Sequence, residues 1–540
     1  MLTEEAKRLG LSHCWVAFGA FGLAAVLGLY QVLERSGLVP VIQSRAVYFA
    51  SVSTHGVLMA YVLTTFFIMG FGYVTAASSL SRPIWNPLLA WTGFCTALAG
   101  TVIAAIPLLT GQASVLYTFY PPVQANALFY IGAALLVVGS WAWCVIMIVM
   151  HAQWKQEHPA EPVPLPMFAT TANALLWLWT SAGVGLEVVF QLIPWSLGIK
   201  DTVDVGLART LFSWTLHPIV YFWLFPAYIA MYVFTPKAAG GRLFSDVAAR
   251  IAFVSLLVFS LPIGFHHLYM DPEQNAGFKL SHGVITFLVV IPTLLTGFTI
   301  TASLEAAGRA QGGNGLFGWI GALPWRNPMV LATILAFLML VLGGFGGIVN
   351  ASYAMNAMVH NTAWVPGHFH LIFAGTTVIM YFAIAYYLWP KLTGKSLFRP
   401  SLALVQLWSW FVGMAILTTP WHILGLLGQP RRISSVNYNS VLTLAWDPYE
   451  LAMIAGGSVL LGSALLFLHI LWKTHQNSEM EYDLAVDYAD PMDSASNLPE
   501  VLNSFKVWNL VILLLMLVNF GYPIAQFFLV KTYDAIAWGY

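Results

Sequence analysis

Charge is scarce in this chain: Asp, Glu, Lys and Arg make up 8% of its 540 residues, against about 25% in soluble globular domains. With 59% of the residues hydrophobic, that scarcity excludes a water-soluble domain and leaves an integral membrane protein. The 22 basic and 22 acidic side chains cancel, and a net charge of zero argues against nucleic acid as a partner. Cysteine is nearly absent as well. Cys14, Cys95 and Cys144 lie singly in apolar segments with no paired spacing, which excludes a disulfide framework or a thiolate metal site and leaves small packing residues. Long polar stretches are also missing. The exceptions run from Lys473 to Lys506, from Gln429 to Glu450 and from Ala306 to Asn327. None can fold alone, so residues 1–540 are read as one domain.

What the chain has in abundance is apolar sequence. A hydrocarbon core about 30 Å thick takes roughly 20 residues of helix to cross. Thirteen such stretches follow one another, near 13–34, 46–76, 86–108, 125–150, 168–195, 207–235, 247–270, 280–303, 328–349, 362–389, 401–425, 451–473 and 505–530. The fold class is therefore an all-α integral membrane protein with about 13 transmembrane helices in one bundle. A cytoplasmic N-terminus puts 14 of the 22 Lys and Arg on the inner side, as the positive-inside rule favours. No small-residue cleavage site follows the first apolar run, so that run is expected to stay as an anchor.

Six of the 14 histidines form four tight groups inside these segments: His55, His217, the pair His266 and His267, and His368 with His370. An imidazole in hydrocarbon has no water to satisfy it and needs a partner there, and metal is the partner it takes well. His368 and His370 are two residues apart and point about 200° away from each other on a helix, so one helix can serve two metal centres. His55 precedes Gly56, which removes a side chain that would block a planar group. With a second histidine opposite, His55 would make six-coordinate bis-imidazole iron, suited to electron transfer because no coordination site is open. His266 and His267 follow Pro262 and Gly264, which loosen the helix enough for adjacent rings to converge. Together with His217 they offer three imidazoles for copper, zinc or non-heme iron. Taken one by one, each of these histidines also has an ordinary reading as a hydrogen-bonded core residue.

Tyr221 lies four residues beyond His217, on the same helix face. Its phenol can deliver a proton and an electron together, as O–O cleavage needs. Arg431 and Arg432, just past the eleventh segment, call for anions such as heme propionates, with His360 and Asp271 on the same side completing a polar roof. The alternative for the pair is a face toward solvent or lipid phosphate. Tyr221, Tyr228 and Tyr232 step along one face of the sixth segment, and Thr293, Thr296 and Thr299 along the eighth. Together they offer a hydroxyl and water wire from the inner side toward Tyr221, although membrane threonines bonded to their own helix would look the same in sequence.

With these residues assembled, the chain resembles subunit I of the heme-copper oxidases over nearly its whole length. The motifs are Trp214-Thr-Leu-His217-Pro-Ile-Val-Tyr221, Gly264-Phe-His-His267, His360-Asn-Thr-Ala-Trp-Val-Pro-Gly-His-Phe-His370 and Gly428-Gln-Pro-Arg-Arg-Ile-Ser434. The resemblance implies a bundle enclosing two hemes and a copper. A low-spin heme would lie between His55 and His370, a high-spin heme on His368, and copper (CuB) on His217, His266 and His267, with a covalent His217–Tyr221 bond.

It further implies a respiratory terminal oxidase in a prokaryotic cytoplasmic membrane, reducing dioxygen to water and translocating protons. Ile219, where the A family usually carries a glutamate, and thirteen segments instead of twelve point to the B family, whose members mostly use cytochrome c. The tyrosine and threonine wire would then carry every proton. Some relatives have an aspartate where Asn356 stands, four residues before His360. No Cys-x3-Cys pair is present, so the dinuclear copper centre that accepts electrons from cytochrome c would belong to a second subunit, with a small third subunit a further partner. Quinol oxidases share the fold and differ in donor. Nitric-oxide reductases place glutamates near a non-heme iron and lack the tyrosine, and a polytopic transporter would hold no heme at all.

Overall fold

In the computed structural model, residues 2–436, 438, 440–478, 485–493, 498–530 and 534–536 are described. Among the described residues, twelve helices are long and apolar enough to cross a membrane. In chain order they are α1 (Glu4–Ser36), α2 (Arg45–Ser79), α3 (Pro87–Leu109), α4 (Ala127–Glu157), α5 (Leu165–Ser196) and α6 (Val205–Ala238). After the break that is α7, α8 (Ala276–Ala310), α9 (Pro328–Ala351), α10 (Trp364–Thr393), α11 (Pro400–Leu426), α12 (Asp447–His475) and α13 (Lys506–Leu529) complete the set. The expected segment 247–270 is the one that differs. It is a 14-residue helix, α7 (Asp246–Phe259), followed by a turn of 3₁₀ helix over Gly264–Leu268, because Pro262 and Gly264 interrupt the α-helical ladder between them. Among the described residues, the thirteen expected segments thus become twelve spans and one shorter helix that ends in a 3₁₀ turn.

Local chemistry sets many of the helix starts. Asn86, Asn126, Asp204, Ser245 and Asn327 each accept a hydrogen bond from a backbone N–H in the first turn that would otherwise lack a partner. Pro87 and Pro328 follow their caps at the first helical position, where a missing N–H costs nothing. Small residues bring helices together. A Cβ on Gly100 of α3 would stand 2.5 Å from the carbonyl oxygen of Gly132 on α4, and one on Gly132 the same distance from that of Gly100. The two backbones touch, as lipid-embedded helices do when side chains stand out of the way.

Burial sorts the bundle. In α2, α6 and α10, 89% of the most apolar 18-residue window is inside the protein, against at most 56% in the other nine spans. These three central helices carry His55, His217, His368 and His370. The outer helices show lipid-facing side chains such as Leu88, Phe190, Leu294 and Phe345. A short antiparallel pair, β1 (Thr202–Asp204) with β2 (Asp534–Ile536), ties the end of the chain to the start of α6.

Candidate metal centres

His217 sits at a break in α6, between the helical runs Val205–Leu216 and Pro218–Val233. The 3₁₀ turn presents His266 and His267 toward it. One ligand atom from each of the three rings can lie within 4.8 Å of the others, and no carboxylate or thiol joins the group among the described residues. His217 Nδ1 is 3.1 Å from His267 Nε2, while His217 Nε2 is 3.1 Å from the Tyr221 hydroxyl. The two nitrogens of one ring are therefore divided between the cluster and the phenol. His266 Nδ1 lies 3.1 Å from the Thr286 hydroxyl, which itself donates to the carbonyl of His282. That outer contact orients the ring and leaves Nε2 for a metal. Imidazoles crowded this closely, His266 buried and the other two half-buried, without acids among the described residues, form a donor set that fits copper.

His55 and His370 are arranged differently. Their rings are nearly parallel, 19° apart, with centroids separated by 6.3 Å. His55 Nδ1 is 2.7 Å from the Ala24 carbonyl and His370 Nδ1 2.8 Å from that of Pro366, so both Nε2 atoms are free. Metal–imidazole bonds of about 2.0 Å on either side of one ion, plus half a ring each, account for a separation of about 6 Å. The fit to bis-imidazole iron is close. A cavity of about 250 Å³ opens beside the rings, and Arg431 and Arg432 line it together with Gly28, Met59 and Tyr117.

His368 turns to another neighbour. Its Nδ1 is 3.0 Å from the Gly343 carbonyl of α9, and a Cβ on Gly346 would stand 2.7 Å from that same nitrogen. Glycine is needed there for the ring to fit. Gly56 lines the cavity beside His55, and a Cβ on it would meet Tyr117 Cβ at 3.1 Å and the Tyr117 ring at 3.3 Å. The glycine that makes room for His55 is Gly28 of α1, 3.2 Å from Cε1 by the same measure.

On the side where α6 begins, Arg431 reaches Asn361, and His360 Nδ1 lies 2.8 Å from Asn356 Oδ1. Burial, with the guanidiniums of Arg431, Arg209 and Arg432, pushes His360 down to about 4. Burial and the adjacent Arg432 bring Arg431 down to about 10. Asp271 has a partner that sequence reasoning missed, Arg209 at 2.9 Å. Burial nonetheless holds the Asp271 carboxyl above the usual carboxylate range. A second ion pair escaped notice too. Arg35 is 3.7 Å from Glu450, which accepts from Gln429, and Arg35 lines the cavity beside His55. Only a three-dimensional arrangement reveals it, since α1 and α12 are over 400 positions apart in sequence.

The wire residues meet in part. Tyr232 donates to Thr296 at 2.9 Å, and Thr296 donates to the Pro292 carbonyl of its own helix. Thr293 and Thr299 bond their own helix in the same way. Thr296 thus bonds both the tyrosine of α6 and its own helix. The Tyr228 hydroxyl is buried and lies beside Thr293.

Comparison with known proteins follows the same lines. Residues 8–459 match the family described as cytochrome c and quinol oxidase polypeptide I. The chain is 41% identical over 507 residues to cytochrome c oxidase subunit 1 of Thermus thermophilus, covering 92% of this chain and 89% of the relative. The chain belongs to the heme-copper oxidase subunit I family. Within it the chain falls in the B family, in keeping with Ile219. A cytochrome c oxidase subunit 1 of Thermostichus vulcanus is 25% identical, over 87% of this chain and 83% of the relative. A solved heme-copper terminal oxidase dimer superposes with a TM-score of 0.94 at 34% identity, covering 99% of this chain and 95% of that one. This heme-copper oxidase subunit is a multi-pass membrane protein and the catalytic subunit of a respiratory terminal oxidase, reducing dioxygen to water.

Proposed function

We propose that His55 and His370 hold a low-spin heme, His368 a high-spin heme, and His217, His266 and His267 a copper ion (CuB), with Tyr221 as the catalytic phenol. When bound, these groups supply electron transfer and dioxygen reduction, chemistry that belongs to the cofactors. The chain positions them. His55 and His370 would both hold the low-spin heme, an arrangement that suits electron passage, while His368 on the other side of α10 would hold the high-spin heme beside the three-histidine cluster. Tyr221 holds a transferable proton next to His217 Nε2. Arg431 and Arg432 bind propionate charge, and His360 and Asp271 close the polar layer above. Tyr228, Tyr232, Thr293, Thr296 and Thr299 relay protons from the inner side to Tyr221, and each charge moved across ~100 mV stores about 2.3 kcal/mol.

The donor in this reading is cytochrome c, delivered through a second subunit that carries a dinuclear copper centre, with a small third subunit completing the complex. The membrane is the cytoplasmic membrane of a prokaryote and the N-terminus is inside. A quinol donor is the alternative, and nitric-oxide reduction is disfavoured because no carboxylate among the described residues joins the cluster.

The observation that carries the proposal is the carboxylate-free cluster of His217, His266 and His267 with the Tyr221 hydroxyl 3.1 Å from His217. Metal analysis tests it. One copper per chain is expected, lost in His267→Ala with heme iron retained; non-heme iron in place of copper would refute it.

A further inference from the structure

α5 contributes no ligand to the metal centres, yet it carries a run of buried polar groups that the mechanism above leaves unused. Glu187 is 0% exposed, and neither of its carboxylate oxygens has a hydrogen-bond partner among the described residues. Thr180, Gln191 and Trp195 are buried too, and each has a polar side-chain atom without a partner. Positions 180, 187, 191 and 195 fall on one face of a helix and span roughly 22 Å at 1.5 Å per residue. More than nine-tenths of buried polar groups in proteins are satisfied by protein or by ordered water. Four in line on one face, each unmet by protein, mark a file of water. Thr180 is telling, since Thr170 and Thr171 on the same helix bond their own backbone in the ordinary way.

The inner end of this file begins next to the copper-site helix. Thr215, two residues before His217, donates to the Thr180 carbonyl at 2.7 Å and accepts from the Val184 N–H at 2.9 Å. Those are the two groups that an uninterrupted α-helix joins to each other, so the Thr215 hydroxyl is wedged into the ladder of α5. Gly183 allows the approach: a Cβ there would lie 2.6 Å from the Leu211 carbonyl. The other end is covered by residues 110–126, where Gln124 donates to the Trp195 carbonyl and the Tyr120 hydroxyl again lacks a partner.

A second, independent feature singles out Glu187. Among the described residues there are three π-helical turns, Leu58–Leu63, Val188–Leu192 and Phe373–Val378. Two of them follow His55 and His370 within three residues. The third follows Glu187 directly, and π turns inside helices cluster at functional positions. The ionisable groups near the carboxyl are Tyr61 of α2 and Tyr120, with Arg209 of α6 beyond Tyr120.

We propose that this face of α5 is a water-lined proton route from the His217 side of α6 toward Ser196, with Glu187 as its exchangeable acid. In each passage Glu187 gives its proton to water on the Ser196 side and regains one from water on the Thr180 side, so the carboxyl is restored. The direction of flow rests on the metal-centre reading above; the existence of the route does not.

The test uses the purified oxidase with its partner subunits. Redox-difference infrared spectra should show the carbonyl stretch of a protonated carboxyl that moves down in D2O and vanishes in Glu187→Gln. In vesicles, Glu187→Gln should lower proton release per electron at least twofold while both hemes and copper remain bound. An unchanged spectrum together with unchanged release in that variant overturns the proposal. Should Glu187→Gln fail to assemble, Thr180→Val and Gln191→Leu interrupt the same file, and unaltered release in both is equally fatal to it. A wild-type preparation without heme absorption would instead strike the metal-centre reading.

Discussion

The two sets of facing histidines solve opposite problems. At His217, His266 and His267 the rings touch one another across a broken helix, and an ion is all that the gap can take. At His55 and His370 backbone carbonyls hold two rings parallel but 6.3 Å apart, beside a cavity large enough to admit part of a planar group. Crowding specifies a metal ion, whereas separation specifies a metal carried in a ring. The difference arises in the backbone: a 3₁₀ turn after Pro262 brings neighbours in sequence together, while two long helices, each with a π turn just past its histidine, and the glycine at 28 keep distant residues in register.

That contrast is broken most severely at the crowded site. Tyr221→Phe removes the hydroxyl beside His217 and nothing else, so both hemes should stay bound while dioxygen turnover falls at least 100-fold; oxygen-electrode assays with near-normal rates would remove the phenol from the mechanism. Gly346→Val comes next. Its side chain must occupy the space of the His368 ring, so the carbon-monoxide difference spectrum of the high-spin heme should be mostly lost while the low-spin absorption persists. Thr286→Val is milder, because it frees the His266 ring without removing it. Copper affinity should fall about tenfold, in the range that outer-shell contacts usually contribute, as read by competition with a chelator.

The smallest effect is one of pH. His360 titrates near 4 in the folded protein, below the ordinary 6.5, so the unfolded chain binds the proton first as pH falls. Stability is therefore unaffected above about 6.5 and declines as pH drops from 6.5 toward 4. His360→Asn should flatten that decline in thermal unfolding, and identical slopes for both proteins would contradict the assigned environment.

Much of this was legible in the residues themselves. Apolar runs of about 20 residues gave the spans because a helix of that length crosses hydrocarbon, and the Pro262–Gly264 pair signalled a loosened helix where the structure has a full break between α7 and a 3₁₀ turn. Spacing alone sent His368 and His370 to different neighbours. What stayed hidden depends on which helices meet. Gly28 makes room for the His55 ring because α1 lies there. The Arg35–Glu450 and Arg209–Asp271 pairs join elements that no periodicity connects, and the Thr215 hydroxyl in the ladder of α5 requires two helices in exact axial register.

One helix serving two irons is the claim on which the rest depends, and paired substitutions on α10 test it directly. His370→Leu should abolish the low-spin absorption and leave carbon-monoxide binding by the high-spin heme, while His368→Leu should do the reverse. Loss of both signals together in properly assembled protein from either single change would contradict the assignment.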